Sequence, residues 1–285
     1  MLMKQGIVEY LAHVESGGRT TATIKSYAKT LELFLKRQTD IRNAPVYVED
    51  FSAFEIEEYI NLVRQEMNYS TSSLYNTLTA LRCFYDYAVK REWIDHNVAR
   101  EVKQVRRKFK ERTYLTEPEV EKALDMIIHP VVQAAAYTLY YAGLRNQECV
   151  DLEIGDVDFQ KNIIHVRLGK GAKSRKIPMC TKLAGKLKEY VKQRPADSEM
   201  LFACMTSGRI SKSFINRELK IAAAEAGLGI PLSAHMLRHS FASNLLKNGV
   251  DIVRVQRLMG HTYLQTTAIY LHTNMDGLMD AVEVL

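Results

Sequence analysis

Apolar residues recur at helical spacing through the first third of the chain. Ile24, Tyr27, Leu31, Phe34 and Leu35 fall on one face of a segment that Thr20 or Thr21 can cap. Ser52 can cap the next segment, where Ile56, Tyr59, Ile60 and Val63 repeat the pattern. Ser70 or Thr71 opens a third, with Leu74, Leu78, Leu81, Tyr85 and Ala88 on its stripe. A shorter helix precedes these, near Lys4 to Val14. Four amphipathic helices with facing stripes predict a four-helix core over residues 1–102.

The pattern then breaks. From Lys103 to Arg112 the chain carries six basic residues and one acid, with few apolar positions. Such a stretch reads as a solvated basic linker, and equally as one lying along phosphates. After it, Thr116-Glu-Pro-Glu is a helix start: a Thr cap, Pro in the first turn, and Glu119 at capping-box spacing. A helix follows over Val131 to Tyr141. Ile163, Ile164, Val166 and Leu168 then suggest a strand, Gly169 to Gly171 a turn, and Arg175 to Pro178 a returning strand. From Lys182 onward the pattern is again mostly helical. The expected fold is mainly α, with a second domain over 113–285 that holds a small β-hairpin or sheet.

Composition changes this picture little. A length of 285 residues, 47% of them hydrophobic, suits one or two domains. The formal net charge of +6 raises the odds of a polyanionic partner, but only modestly. The cysteines Cys83, Cys149, Cys180 and Cys204 form no Cys-x-x-Cys pair and have no His at zinc-finger spacing, so no structural metal is expected. They read as reduced, mostly buried thiols. The N-terminal residues lack a signal-peptide run, and no apolar stretch approaches membrane-spanning length. A soluble, cytoplasmic protein is expected.

Chemistry concentrates in the second domain. His235 and Arg238 are three apart and share a helix face. Gly249 and Gly260 end successive helices, Asp251 caps the second, and His261 falls at the corner after Gly260. Tyr270 lies nine residues on, one of 15 tyrosines and so uninformative by itself. Arg145 follows Gly143, which ends the Val131–Tyr141 helix, and Glu148 lies in reach to orient it. Two guanidiniums can fork onto phosphate oxygens and offset the charge of a pentacoordinate phosphorane. Lys170, between two glycines, could protonate a leaving alkoxide if its pKa is lowered; Lys173 is an alternative.

Four stretches carry a family resemblance: Ala142-Gly-Leu-Arg-Asn-Gln-Glu-Cys-Val-Asp-Leu, Gly169-Lys-Gly-Ala-Lys-Ser-Arg-Lys-Ile-Pro, His235-Met-Leu-Arg-His-Ser-Phe-Ala-Ser, and Leu258-Met-Gly-His-Thr-Tyr-Leu-Gln-Thr-Thr-Ala-Ile-Tyr. In this order they resemble the tyrosine recombinases, especially the short Xer-type members. The resemblance implies a helical, SAM-like core-binding domain followed by a catalytic domain. It implies that Tyr270 attacks the scissile phosphate to give a 3′-phosphotyrosyl link. Arg145 and Arg238 would hold the non-bridging oxygens and His261 would hydrogen-bond the same phosphate. His235 would assist proton transfer, Lys170 would protonate the leaving 5′-oxygen, and Glu148 would support. Because the covalent link conserves the bond energy, neither metal nor ATP is implied. The implied partner is double-stranded DNA with inverted-repeat core sites, gripped by a tetramer that exchanges strands through a four-way junction.

The tail after Tyr270 is short, and Met275, Leu278, Met279, Val282 and Leu285 have helical spacing. They could dock on a neighbouring protomer or fold back on their own domain. His239 and Ser240 match the family without an assigned chemistry. No arm-site domain is expected before Met1, an expectation that favours simple sites. Arg106, Arg107, Lys108, Lys173, Lys212 and Arg217 are candidate DNA contacts, the last two on a basic segment with Ser211, Ser213 and Asn216 before Gly227. Dimer resolution and mobile-element integration stay open, as do a partner recombinase or accessory protein. A type IB topoisomerase shares the chemistry but acts as a monomer, and an inactive DNA-binding relative is the reading from another class.

Overall fold

The computed structural model describes residues 1–105, 114–167, 174–204, 208–260 and 267. The chain divides into two compact units, Met1–Glu111 and Arg112–Leu285.

The first unit holds α1 (Met3–Ser16), α2 (Thr21–Arg42), α3 (Ala53–Glu66) and α4 (Thr71–Lys90). Thr20, Ser52 and Ser70 cap the last three, each accepting a backbone N–H. At Ser52 the Glu55 carboxylate reaches back to the cap's own N–H, completing a capping box. The stripes read from the sequence turn inward: Leu31, Phe34, Ile56, Leu74, Leu78 and Leu81 are fully buried. Phe34 meets the Tyr59 ring edge-on at 4.8 Å between centroids. Each such fully buried side chain contributes about 1.5–3 kcal/mol.

The second unit is built around α6 (Pro130–Tyr141), whose residues from Ala134 to Tyr140 are all buried. It packs against α5 (Glu117–Asp125), α7 (Asn146–Val150), α8 (Thr181–Val191), α9 (Lys212–Glu225) and α10 (Ala234–Lys247). A final described helix, α11 (Ile252–Met259), packs on α10 and on the sheet. The sheet is antiparallel with order β1 (Val157–Asp158), β2 (Ile163–Val166), β3 (Arg175–Pro178). Ile164 pairs with Ile177, and both are buried. The two-residue β1 is an addition to the expected hairpin; it is too short to show any alternation of its own.

The thiols differ from expectation. Among them only Cys149 is buried, while Cys83 and Cys204 are half-buried and Cys180 is exposed. Cys180 occupies the N-cap position of α8, where its side chain faces away from the core. No helix among the described residues is long and apolar enough to cross a membrane.

Candidate active site

The site begins where α6 stops. Its C-cap, Ala142, is followed by Gly143 at φ 60°, a left-handed conformation that a side chain resists. A Cβ there would also lie 2.3 Å from the Phe241 ring. The turn aims the Gly143 carbonyl at Arg238, whose Nη1 donates to it at 2.6 Å. A Gly143→Ala variant should therefore lose roughly 2–5 kcal/mol of stability, from backbone strain and overpacking together. Chemical denaturation with the parent chain alongside checks this.

Two residues on, Arg145 stands in extended conformation at the N-cap of α7, and Glu148 lies in that helix's first turn. The Glu148 carboxylate accepts the Arg145 backbone N–H at 2.8 Å and Arg145 Nη1 at 2.7 Å. It is buried, and it is a hub. Arg175, first residue of β3, forks onto both of its oxygens at 2.9 and 2.8 Å. Arg238, from α10, brings Nη1 to 3.7 Å of the same carboxylate. Burial pushes the Glu148 pKa up, but the Arg175 and Arg145 hydrogen bonds and the Arg175 charge outweigh it and hold the pKa at about 2. The native pKa is depressed, so the stabilisation is present above the ordinary carboxylate value and is lost as pH falls through the native one.

The same three arginines share a second anchor. Asp251 caps α11 by accepting from the backbone N–H groups of Val253 and Arg254. At its other end Gly260 closes α11 at φ 64°. The last carbonyls of an α-helix have no partner inside it. Here Arg175 Nε donates to Leu258 O at 3.0 Å, Arg238 Nη2 to Met259 O at 2.6 Å, and Arg145 Nη2 to Gly260 O at 3.2 Å. Three successive carbonyls thus take three different guanidiniums, at the negative end of the helix dipole. A Cβ on Gly260 would sit 2.8 Å from Arg175 Nη1, so this approach depends on glycine.

The arginines differ in exposure. The Arg238 side chain is 4% exposed and that of Arg145 44%. Three guanidiniums against one carboxylate leave two positive charges in excess, with Arg145 the member most open to solvent.

His235 is exposed in the first turn of α10, one turn from Arg238, and its ring meets that of buried His239 edge-on at 4.6 Å. Ser240 is structural: its Oγ is buried and accepts the Leu115 N–H at 2.9 Å. Lys212 and Arg217 are exposed on α9. Arg217 donates to Glu218 and lies over the Phe214 ring. Ser211 caps α9, and the Asn216 side-chain oxygen accepts from Ala234 N at 2.9 Å, so both serve the fold. Lys170, Lys173, His261, Tyr270, the tail stripe and Arg106, Arg107 and Lys108 lie outside the described residues.

The structure thus brings Arg145, Glu148 and Arg238 together and adds Arg175. Sequence reasoning does not single that residue out, because it sits in a basic run beside Lys170. The only signal is its place as the first residue of a strand whose start faces the glycine-closed corner.

Residues 113–276 match the Phage integrase family, and residues 7–95 match the Phage integrase N-terminal SAM-like domain. The chain belongs to the phage integrase family, the tyrosine recombinases. Its class of activity is DNA cleavage and rejoining. The recombinase is 30% identical to the tyrosine recombinase XerA of Pyrococcus furiosus, over 99% of this chain and 94% of that protein. It is 32% identical to XerC of Halalkalibacterium halodurans, over 79% and 78% of the two chains. Among solved structures it resembles a XerA recombinase at 27% identity, with a TM-score of 0.55 over 97% of both chains. It shares its fold with the Tn1549 transposon integrase, solved with a circular intermediate DNA, at a TM-score of 0.80 and 18% identity over 98% of each chain.

Proposed function

We propose that this recombinase cuts one strand of duplex DNA at a time, through attack of the Tyr270 phenol oxygen on a backbone phosphate. The P–O bond to the 5′-oxygen breaks, the 5′-hydroxyl leaves with a proton from Lys170 or Lys173, and a 3′-phosphotyrosyl link remains. A 5′-hydroxyl from a second duplex then attacks that link and restores tyrosine. Arg145 and Arg238 hold the non-bridging oxygens, His261 hydrogen-bonds the same phosphate, and His235 assists the tyrosine's proton transfer. Glu148 orients the arginines.

The observation that carries this reading is the excess of two positive charges in the arginine cluster, at a helix end that leads directly to His261. Fixed cations aimed at developing phosphorane charge commonly lower the barrier of such a reaction more than any other device. No bond energy is spent, so no nucleotide hydrolysis enters the cycle. Strand exchange between two sites requires four protomers on two duplexes, and the stripe from Met275 to Leu285 is the segment proposed to join them. The exposed cations Lys212 and Arg217, with Arg106, Arg107 and Lys108, are proposed to contact the DNA. Relatives of the Xer type match over nearly the full chain, which supports paired inverted-repeat sites of that kind.

A library of random duplexes, selected for binding and sequenced, tests the partner and gives the site. One sequence with inverted arms is expected to dominate. Recovered duplexes placed as two copies on a plasmid should then be recombined; simple relaxation without exchange would indicate topoisomerase activity instead. Binding should weaken steeply with salt, because each neutralised phosphate releases counterions. With six to ten phosphate contacts, affinity would fall by about 10³–10⁵ between roughly 50 and 200 mM salt. A flat response in a filter-binding titration would rule out a phosphate-dominated interface.

A further inference from the structure

We propose that Arg175 is a positioning residue for strand cleavage, fixing the reactive corner by joining β3, Glu148 and the last turn of α11; this rests on the recombinase reading above. Its side chain is only 10% exposed, so it is poorly placed to meet DNA itself. Its donors go elsewhere. Nη1 and Nη2 meet the two oxygens of Glu148, and Nε meets the Leu258 carbonyl. Arg175 thereby bonds to both the carboxylate hub and the Leu258 carbonyl.

Two consequences follow from removing it. Glu148 would keep Arg145 as a hydrogen-bond donor and Arg238 at 3.7 Å, and would lose the fork from Arg175 that meets both of its oxygens. A buried carboxylate left in that state draws its remaining cations inward, away from a phosphate on the open side. The Leu258 carbonyl would also lose its partner at a helix end, where orphan acceptors must find one. The turn that continues into His261 would then be less firmly held. Both effects reach the reaction through other residues, and the single phosphate they concern is a small part of the many phosphate contacts that set affinity for duplex DNA.

Lysine is a poor substitute. An ammonium can neutralise Glu148, but it cannot fork onto two oxygens and also present a third donor sideways to a carbonyl. Charge and geometry can therefore be separated by comparing Arg175→Gln with Arg175→Lys.

The test uses the full chain and a nicked suicide duplex carrying the site recovered by selection. It reads the single-turnover rate of adduct formation at saturating protein, the affinity for intact duplex, and the titration of the Glu148 carboxyl by carbon NMR. R175Q should lower the adduct rate by roughly a hundredfold, as for a small misplacement of reacting groups, with affinity unchanged and the Glu148 titration moved upward. R175K should keep Glu148 titrating low yet recover only part of the rate. Joining R175Q to E148Q should cost no more than the worse single variant, since the two act through one contact. An R175Q rate equal to the parent's, or a loss of affinity in proportion to rate, would overturn the proposal. Should R175Q fail to fold, R175K decides alone: a parental rate overturns the proposal and a partial rate supports it. A parent chain that forms no adduct on this duplex would instead sink the recombinase reading, and this inference with it.

Discussion

A Tyr270→Phe variant is expected to bind the selected duplex as the parent does and to leave no protein–DNA adduct on the nicked substrate. The substitution removes one oxygen and almost no volume, so the fold has little reason to change. That oxygen is the proposed nucleophile. The arginines proposed to lower the barrier to phosphorane formation make no adduct without an attacking atom on the protein. Denaturing gel electrophoresis of end-labelled duplex measures the outcome directly. An adduct that persists in the variant would place the attacking oxygen on another residue.

Arg145→Ala and Arg238→Ala are each expected to cut the adduct rate by about 10³ or more, the scale on which transition-state arginines act in phosphoryl transfer. The two should part company in stability. Arg145 is the more exposed, and its loss leaves Glu148 bound to Arg175. Its unfolding midpoint should stay close to the parent's. Arg238 is buried and donates to the carbonyls of Gly143 and Met259. Truncation leaves both acceptors without that donor, at about 1–3 kcal/mol each. Rates corrected for folded fraction, with urea denaturation beside them, separate the two effects. A near-parental corrected rate in both variants would remove the arginines from the reaction.

Much of this is legible in the residues. The stripe from Leu74 to Ala88 and the caps at Ser52, Thr116 and Asp251 announce their helices, because burial and capping are local demands on side-chain type. Arg145 and Glu148 are separated by one helical turn, so their pairing follows from spacing alone. The rest depends on backbone atoms. The carbonyls of Leu258, Met259 and Gly260 carry no mark in the sequence that they will be acceptors for side chains far away along the chain. Arg175 is hidden for this reason: its partners are a helix end and a carboxylate contributed from elsewhere. In the basic segment from Ser211 to Arg217, Ser211 and Asn216 bond within the fold, a use that their place among cations does not announce.

The shared helix end makes the effects of mutation inseparable. Each cation borrows its orientation from a turn that the other two also brace, so unsettling one contact perturbs all of them. Free-energy losses measured for the separate substitutions should not sum to the loss in a combined variant. On the proposed reaction, rate enhancement would belong to the assembly, with no fixed share assignable to any single side chain.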